Sequence, residues 1–290
     1  MLVLEKTVQS NEPGITGIKF VFKTKGNSII EFTYLYKKDG KDIICVPTQT
    51  MCNLACRFCH TTNYIGKIPK EHIGGEVISE AVEYICKTLK LDPTKKDLLI
   101  SYMGIGEPTD NIDGVIQSMD SLSQLYPLVR FAISTVLPAQ SMVNFFKLTD
   151  FVSTSLFKVK LHVSLHFTDD KVRTQWLPAS TNIKASIDAA SFYKNYTKNN
   201  VEIHYTLIDG INDTEADAER LVELLKDKNF NVKFLFYNKR TELSYEASEK
   251  YNIFENALKA AGISCEYYHP PAQDIGSSCG SFNMNEYVGQ

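Results

Sequence analysis

Cys52, Cys56 and Cys59 stand at C-x3-C-x2-C spacing, directly after a run, Ile43 to Val46, that reads as a strand. Four thiolates would close a tetrahedral metal site, whereas three leave one position open. An iron–sulfur cluster held by three cysteines keeps one iron able to bind something else. A closed zinc site normally shows two C-x-x-C or Cys/His pairs, and the chain offers one compact group. The spacing therefore points to a cluster loop, with a zinc knuckle or unrelated core cysteines as the alternatives.

The bulk of the chain frames this loop. A length of 290 residues with 43% hydrophobic content suffices for one large domain or two small ones. The net charge is −3 and the pI near 6.1, so composition demands no nucleic-acid partner. No apolar run is long enough for a membrane span, and the start lacks a signal-peptide pattern. These features predict a cytoplasmic protein with no membrane association. Seven cysteines in a reducing compartment are expected to serve metal binding or catalysis rather than structural disulfides.

The elements that must position the loop follow from hydrophobic patterning. Residues 17–23 and 29–36 alternate around Gly26-Asn27, a hairpin signal. From the cysteine strand onward, short apolar strands alternate with helical stretches. Strands are expected over 97–103, 130–136, 159–166, 201–209, 232–237 and 263–268, and helices over 74–90, 113–125, 140–152, 183–198, from Thr214, and 246–261. A long loop is expected from His166 to Pro178. This pattern means βα units and a parallel sheet. No G-x-G-x-x-G follows the first strand of the series, so a full or partial (β/α) barrel fits better than a dinucleotide-binding sheet. Its site would lie at the C-terminal strand ends. The loops expected there carry Gly104-Ile105-Gly106-Glu107-Pro108, Ser134-Thr135, Ser164-Leu165-His166 and Asn238. Glycines let a ligand approach the backbone, and a glutamate accepts from an ammonium group. Taken singly, each is more often a turn or cap residue. Cys86 and Cys265 read as packing residues, His60 as a loop residue, and Trp176 and Tyr64 as packing residues before base-stacking ones.

Together these motifs resemble the radical S-adenosylmethionine (SAM) enzymes, and within them the RlmN/Cfr family of RNA adenine methylases. The resemblance runs from residue 30 to residue 282. It includes Asn111, Asp170 and Arg173, Asn212-Asp213, and Asp274-Ile275-Gly276-Ser277-Ser278-Cys279-Gly280. The C-x3-C-x2-C loop is common to the superfamily. The Cys45 to Cys52 interval and the late Asp-Ile-x3-Cys-Gly are specific to the family.

The resemblance implies a partial (β/α)6-type barrel over 41–270, an N-terminal β-hairpin extension over 1–40, and a tail over 271–290 that closes over the active site. It implies one [4Fe-4S] cluster on Cys52, Cys56 and Cys59 and SAM contacts from Gly106, Glu107, Ser134, Ser164, Leu165, His166 and Asn238. It implies a methyl group carried on Cys279, resolution of the product by Cys45 as disulfide partner, and proton chemistry by Glu31, whose match requires one inserted residue between Lys37 and Lys41. The chemistry needs such thiols, because an electron-poor ring carbon is no nucleophile and cannot take a methyl group by displacement. Release of a product tied through sulfur needs a second thiol to attack that sulfur, which leaves the two thiols joined as a disulfide. The expected reaction consumes two SAM molecules to methylate C2 or C8 of adenosine in RNA. An external electron donor of flavodoxin or ferredoxin type and a monomeric enzyme are further expectations. About 16 residues precede the hairpin, so the accessory domain of relatives is expected to be absent. The tail reads Ser-Ser-Cys-Gly-Ser-Phe where the family has Ala-Ala-Cys-Gly-Gln-Leu. A small molecule or peptide as substrate, or a non-catalytic iron–sulfur or RNA-binding module, are the competing readings.

Overall fold

The computed structural model of the protein describes residues 2–36, 40–92, 94, 96–240 and 242–277. Ten strands pair strictly in chain order, from β1 (Val3–Gln9), β2 (Thr16–Lys23), β3 (Ile29–Tyr36) and β4 (Asp42–Cys45) to β5 (Leu98–Tyr102), β6 (Val129–Thr135), β7 (Val159–Ser164), β8 (Val201–Thr206), β9 (Asn231–Leu235) and β10 (Cys265–Tyr268). The first four are antiparallel, and β4 to β10 are parallel. The unreversed order excludes a doubly wound sheet, which needs a switch point. The helices are α1 (Gly75–Thr88), α2 (Ile112–Leu125), α3 (Met142–Thr154), α4 (Asp170–Trp176), α5 (Ile183–Thr197), α6 (Glu215–Leu225) and α7 (Tyr251–Ala260).

Several expectations shift. The expected hairpin is three strands, because β1 adds to β2. It continues the large sheet, and Phe20, Phe22, Ile30 and Phe32 join the core under α1. The stretch expected as a loop after His166 contains α4, whose seven residues are too few to show a helical period. Asp169 caps it by accepting from Lys171 N and Val172 N. α6 opens on a true capping box between Thr214 and Asp217. The helix expected over 246–261 covers 251–260 only, since Ala247 is drawn into a bridge with Ile208. β7 ends at Ser164, so Leu165 and His166 belong to the following loop.

The two faces of the sheet differ in kind. Successive residues point to opposite faces, and residues in register share one. Ile100, Phe131, Leu161, Ile203 and Val232 lie on one face and enter the main core with the helices. The other face carries Ser101, Ser134, His162, Ser164, Glu202, His204, Thr206 and Lys233. This lane runs back into the N-terminal strands. Cys45 is in register with Ser101 and Thr33, and Thr33 with Lys19 and two residues beyond Glu31. A polar lane of this length in the interior needs internal partners.

At its centre, His162 Nδ1 lies 2.7 Å from His204 Nε2 and 3.1 Å from Glu202 Oε1. Lys160 and Lys233 reach Glu202 at 2.6 and 2.9 Å. Among the described residues this trio alone gathers three potential ligand atoms within 4.8 Å of one another. The two ammonium groups already neutralise its carboxylate and would repel a cation. Burial, then the adjacent His204, pushes His162 down to about 3, and burial also lowers His204 and His166. Burial alone would raise Glu202, but the adjacent His162 and His204 and the Lys233 ammonium group outweigh it and hold its carboxyl below the usual range. Unfolding at mildly acid pH therefore takes up protons that the folded histidines refuse. Stability is expected to fall as pH drops below about 6.5, by about 1.4 kcal/mol per pH unit for each histidine that charges only when unfolded. The His162 share should continue toward pH 3. Urea midpoints measured from pH 7 to 5 check this. A flat profile, or one that His162→Asn leaves unaltered, would refute it.

Candidate active site

The loops at the C-terminal ends of β5, β6, β7 and β9 meet the cysteine loop around one cavity. Cys52, Cys56, Cys59, Gly106, Glu107, Ser134, Ser164, His166 and Asn238 all line it. The structure thus gathers on one wall nine residues that the sequence singles out, from the cysteine loop, the last positions of β6 and β7, and the loops after β5, β7 and β9. Leu165 is not on that wall. Its side chain is fully buried in the core, and its carbonyl accepts from Arg173 Nε at 3.0 Å. Cys45 and Glu31 lie off the wall, on the polar lane of β4 and β3. Cys279 lies outside the described residues.

The cysteine loop is shaped by tertiary ties. Ala55 takes the left-handed conformation with φ of 57°, which an alanine adopts only when the surroundings impose it. Arg57 N donates to the Trp176 carbonyl at 2.8 Å, and the Arg57 guanidinium lies over the rings of Trp176 and Tyr245 at 5.1 and 5.4 Å. Trp176 is itself core, stacked among Phe58 and Phe167. Tyr64 packs beside Met51 and Ile105. Burial, then the neighbouring Cys59, pushes the Cys52 thiol up to about 12. Burial likewise raises Cys56, with Cys59 and Cys52 adding, and raises Cys59 against a contact of 3.1 Å with Thr61 Oγ1. Three half-buried, poorly hydrated thiols whose ionisation burial disfavours are suited to a cation, which reverses that cost. Three cysteine donors from one loop leave a fourth position open, which fits an iron–sulfur cluster better than a closed four-ligand zinc site.

The other walls are braced with equal care. At Gly106 (φ 116°) a Cβ would come within 2.4 Å of Thr48 Oγ1 and 2.8 Å of Gln49 N, so the residue serves the packing of this loop on the segment after β4. The ligand-approach reading of that glycine covers only part of its task. Asn111 Nδ2 ties the same two segments by donating to the carbonyls of Thr48 and Ile73 at 2.7 and 2.8 Å. Glu107 accepts from Thr109 N and Oγ1 at 3.1 and 2.8 Å and from Val136 N at 3.2 Å, joining the β5 and β6 loops. Burial raises its pKa, and these hydrogen bonds, with one from Thr135, moderate the rise. Ser134 and Ser164 hydroxyls lie 3.2 Å apart. His166 has φ of 59°, and its Nδ1 accepts from Thr206 N at 3.1 Å, which leaves the proton on Nε2. Asn212 Nδ2 donates to the carbonyls of His166 and Thr206, each at 2.7 Å. Arg173, Asn111 and Asn212 therefore act behind the wall.

Sequence reasoning missed Thr206, His204 and Tyr237 on the cavity. The first two were legible in principle, as inward positions near the end of an alternating strand. The Tyr237 hydroxyl is buried with no hydrogen-bond partner among the described residues, which only the fold reveals.

No protein-family model matches the chain. It is 29% identical over 291 aligned positions, 97% of its own length and 76% of the relative's, to the probable dual-specificity RNA methyltransferase RlmN of Staphylococcus aureus strain JH9. The protein of strain Newman matches equally. Its fold is similar to that of a radical SAM methyltransferase from Sphaerobacter thermophilus, with a TM-score of 0.83 and 26% identity, over 97% of this chain and 80% of that one. By sequence and by fold alike, the chain is a radical SAM methyltransferase related to RlmN.

Proposed function

We propose that this protein methylates an sp2 carbon, C2 or C8, of adenosine in RNA. The observation that carries the reading is the convergence of the three-cysteine loop with the β5, β6, β7 and β9 loops on one cavity wall. The RNA target is supported by the name of the Staphylococcus relatives. Cys52, Cys56 and Cys59 would hold a [4Fe-4S] cluster, and Gly106, Glu107, Ser134, Ser164, His166 and Asn238 would line the SAM site beside it. When bound, these groups supply one-electron chemistry that generates a carbon radical. The protein's residues do the rest. Thr206 N fixes the His166 tautomer, so that Nε2 is a donor on the wall. Cys279 carries the methyl group that becomes the transferred carbon. Cys45 resolves the product by attacking the Cys279 sulfur: the Cys45–Cys279 S–S bond forms as the S–C bond to the product breaks, and the carbon leaves with that electron pair and takes up a proton. Glu31 handles the proton at the substrate carbon.

The net charge of −3 favours a second reading, a small-molecule or peptide substrate, because affinity for RNA is largely electrostatic. Anaerobic incubation with SAM, a reductant and total cellular RNA, followed by nucleoside mass spectrometry, separates the two. Methylated adenosine is the expected product. In parallel, peptide mass spectrometry should find Cys279 methylated in cluster-replete protein. An unmodified Cys279 there would sink the reading.

A further inference from the structure

Lys19 lies in β2 with only 3% of its side chain exposed. Lysine is almost never buried to this degree unless its charge is paired. Its Nζ stands 2.5 Å from Glu31 Oε2, whose side chain is equally buried, and donates to the Gly276 carbonyl at 3.3 Å. Neither Glu31 oxygen accepts an aligned hydrogen bond among the described residues, so the ionic contact with Lys19 stands out. Gly276 belongs to the segment that leads to Cys279. That segment is also latched to the β1–β2 turn. Asp274 accepts from Ser10 Oγ at 2.6 Å and Asn11 N at 2.7 Å, and Glu12 accepts from Ala272 N and Gln273 N at 2.9 and 2.6 Å. The packing is close, since a Cβ on Gly17 would meet that of Ala272 at 2.4 Å. Lys19 is in register with Thr33, which faces Cys45 across β3 and β4. One ammonium group thus touches both the carboxylate assigned to proton chemistry and the backbone leading to the methyl-carrying thiol, in the lane of the resolving thiol.

We propose that Lys19 is a positioning residue whose ammonium group fixes the Glu31 carboxylate and the Gly276 segment relative to each other. Its consequence for turnover rests on the roles given above to Glu31 and Cys279; the docking itself does not. Hydrogen exchange of the Gly276 and Ser277 amides, which bond back to Gln273 and Ala272, reads the docking without any cofactor. Lys19→Met is expected to speed that exchange by about tenfold or more, as the local opening becomes easier. Lys19→Met strands a buried carboxylate, so the double variant Lys19→Met/Glu31→Gln, which buries no charge there, is measured beside it. Faster exchange should persist in that variant, and exchange at the native rate in it overturns the proposal. In reconstituted enzyme, Lys19→Met should lower methylated product per SAM cleaved by about tenfold while cleavage itself stays within about twofold. An unchanged ratio despite faster exchange would reject the positioning role. Full product from Glu31→Gln or Cys279→Ala would instead defeat the functional assignment of those residues, and the exchange data would still judge the docking.

Discussion

Cys56→Ala is expected to abolish metal loading and SAM cleavage together, with turnover falling on the order of 10³-fold or more, at least ~4 kcal/mol of barrier. Cys56 lies within the cavity wall between Cys52 and Cys59, so two remaining thiols cannot hold the group that three would hold. The fold should survive. Cys56 is only partly buried against the small cluster around Trp176, and losing one thiol there should cost about 1 kcal/mol. Iron content, visible absorbance and 5′-deoxyadenosine release measure the first effect, and thermal unfolding of the metal-free protein the second. Native iron content and cleavage in the variant would show that the three cysteines are not the ligands.

Arg173→Met should have the largest effect on stability, roughly 3–5 kcal/mol. The Arg173 side chain is buried and donates to the carbonyls of Leu165, Val136, Ser164 and Thr181 and to Ser180 Oγ. These groups belong to the β6 loop, the β7 loop and the turn after α4, so one guanidinium closes the back of the cavity. Methionine fills the space but leaves the acceptors unpaired. Burial already lowers the guanidinium pKa to about 10, a sign of how completely it is withdrawn from water. For a chain of this size each kcal/mol corresponds to about 2–4 °C, so the unfolding midpoint should fall by roughly 10 °C. Arg173→Lys should recover little, because a lysine has three donors on one point and cannot span the fork. A loss under 1 kcal/mol would show that the acceptors find other partners.

The same residues mark how much of the site was readable beforehand. That the cysteine loop, Gly106, Glu107, Ser134, Ser164, His166 and Asn238 would share one rim was legible because each ends or follows a strand of recognisable pattern. A βα alternation places such positions on one rim whatever the detailed packing. Leu165 came with the same motif by resemblance, and its side chain lies in the core while those of Ser164 and His166 line the cavity. Neighbours in sequence take opposite sides whenever backbone direction alternates, and a motif does not record which one faces in.

The sequence by itself determined the periodicities, and with them most strands, most helices and the order of the units. It also determined the local spacing of the thiols, because C-x3-C-x2-C is a property of a few consecutive residues. What only the tertiary structure decided are the long-range partnerships. Lys19 meets Gly276 across 257 positions, Arg57 meets Tyr245 across 188, and Asn111 bridges to Thr48 across 63. Such pairs depend on which loops the sheet order brings together, and no local propensity encodes that. The polar lane shows the same division. The alternation read over 17–23 and 29–36 already implied two unlike faces for the N-terminal hairpin. Only the register between strands joined Lys19, Glu31, Cys45 and the histidines into one continuous surface beside the cavity.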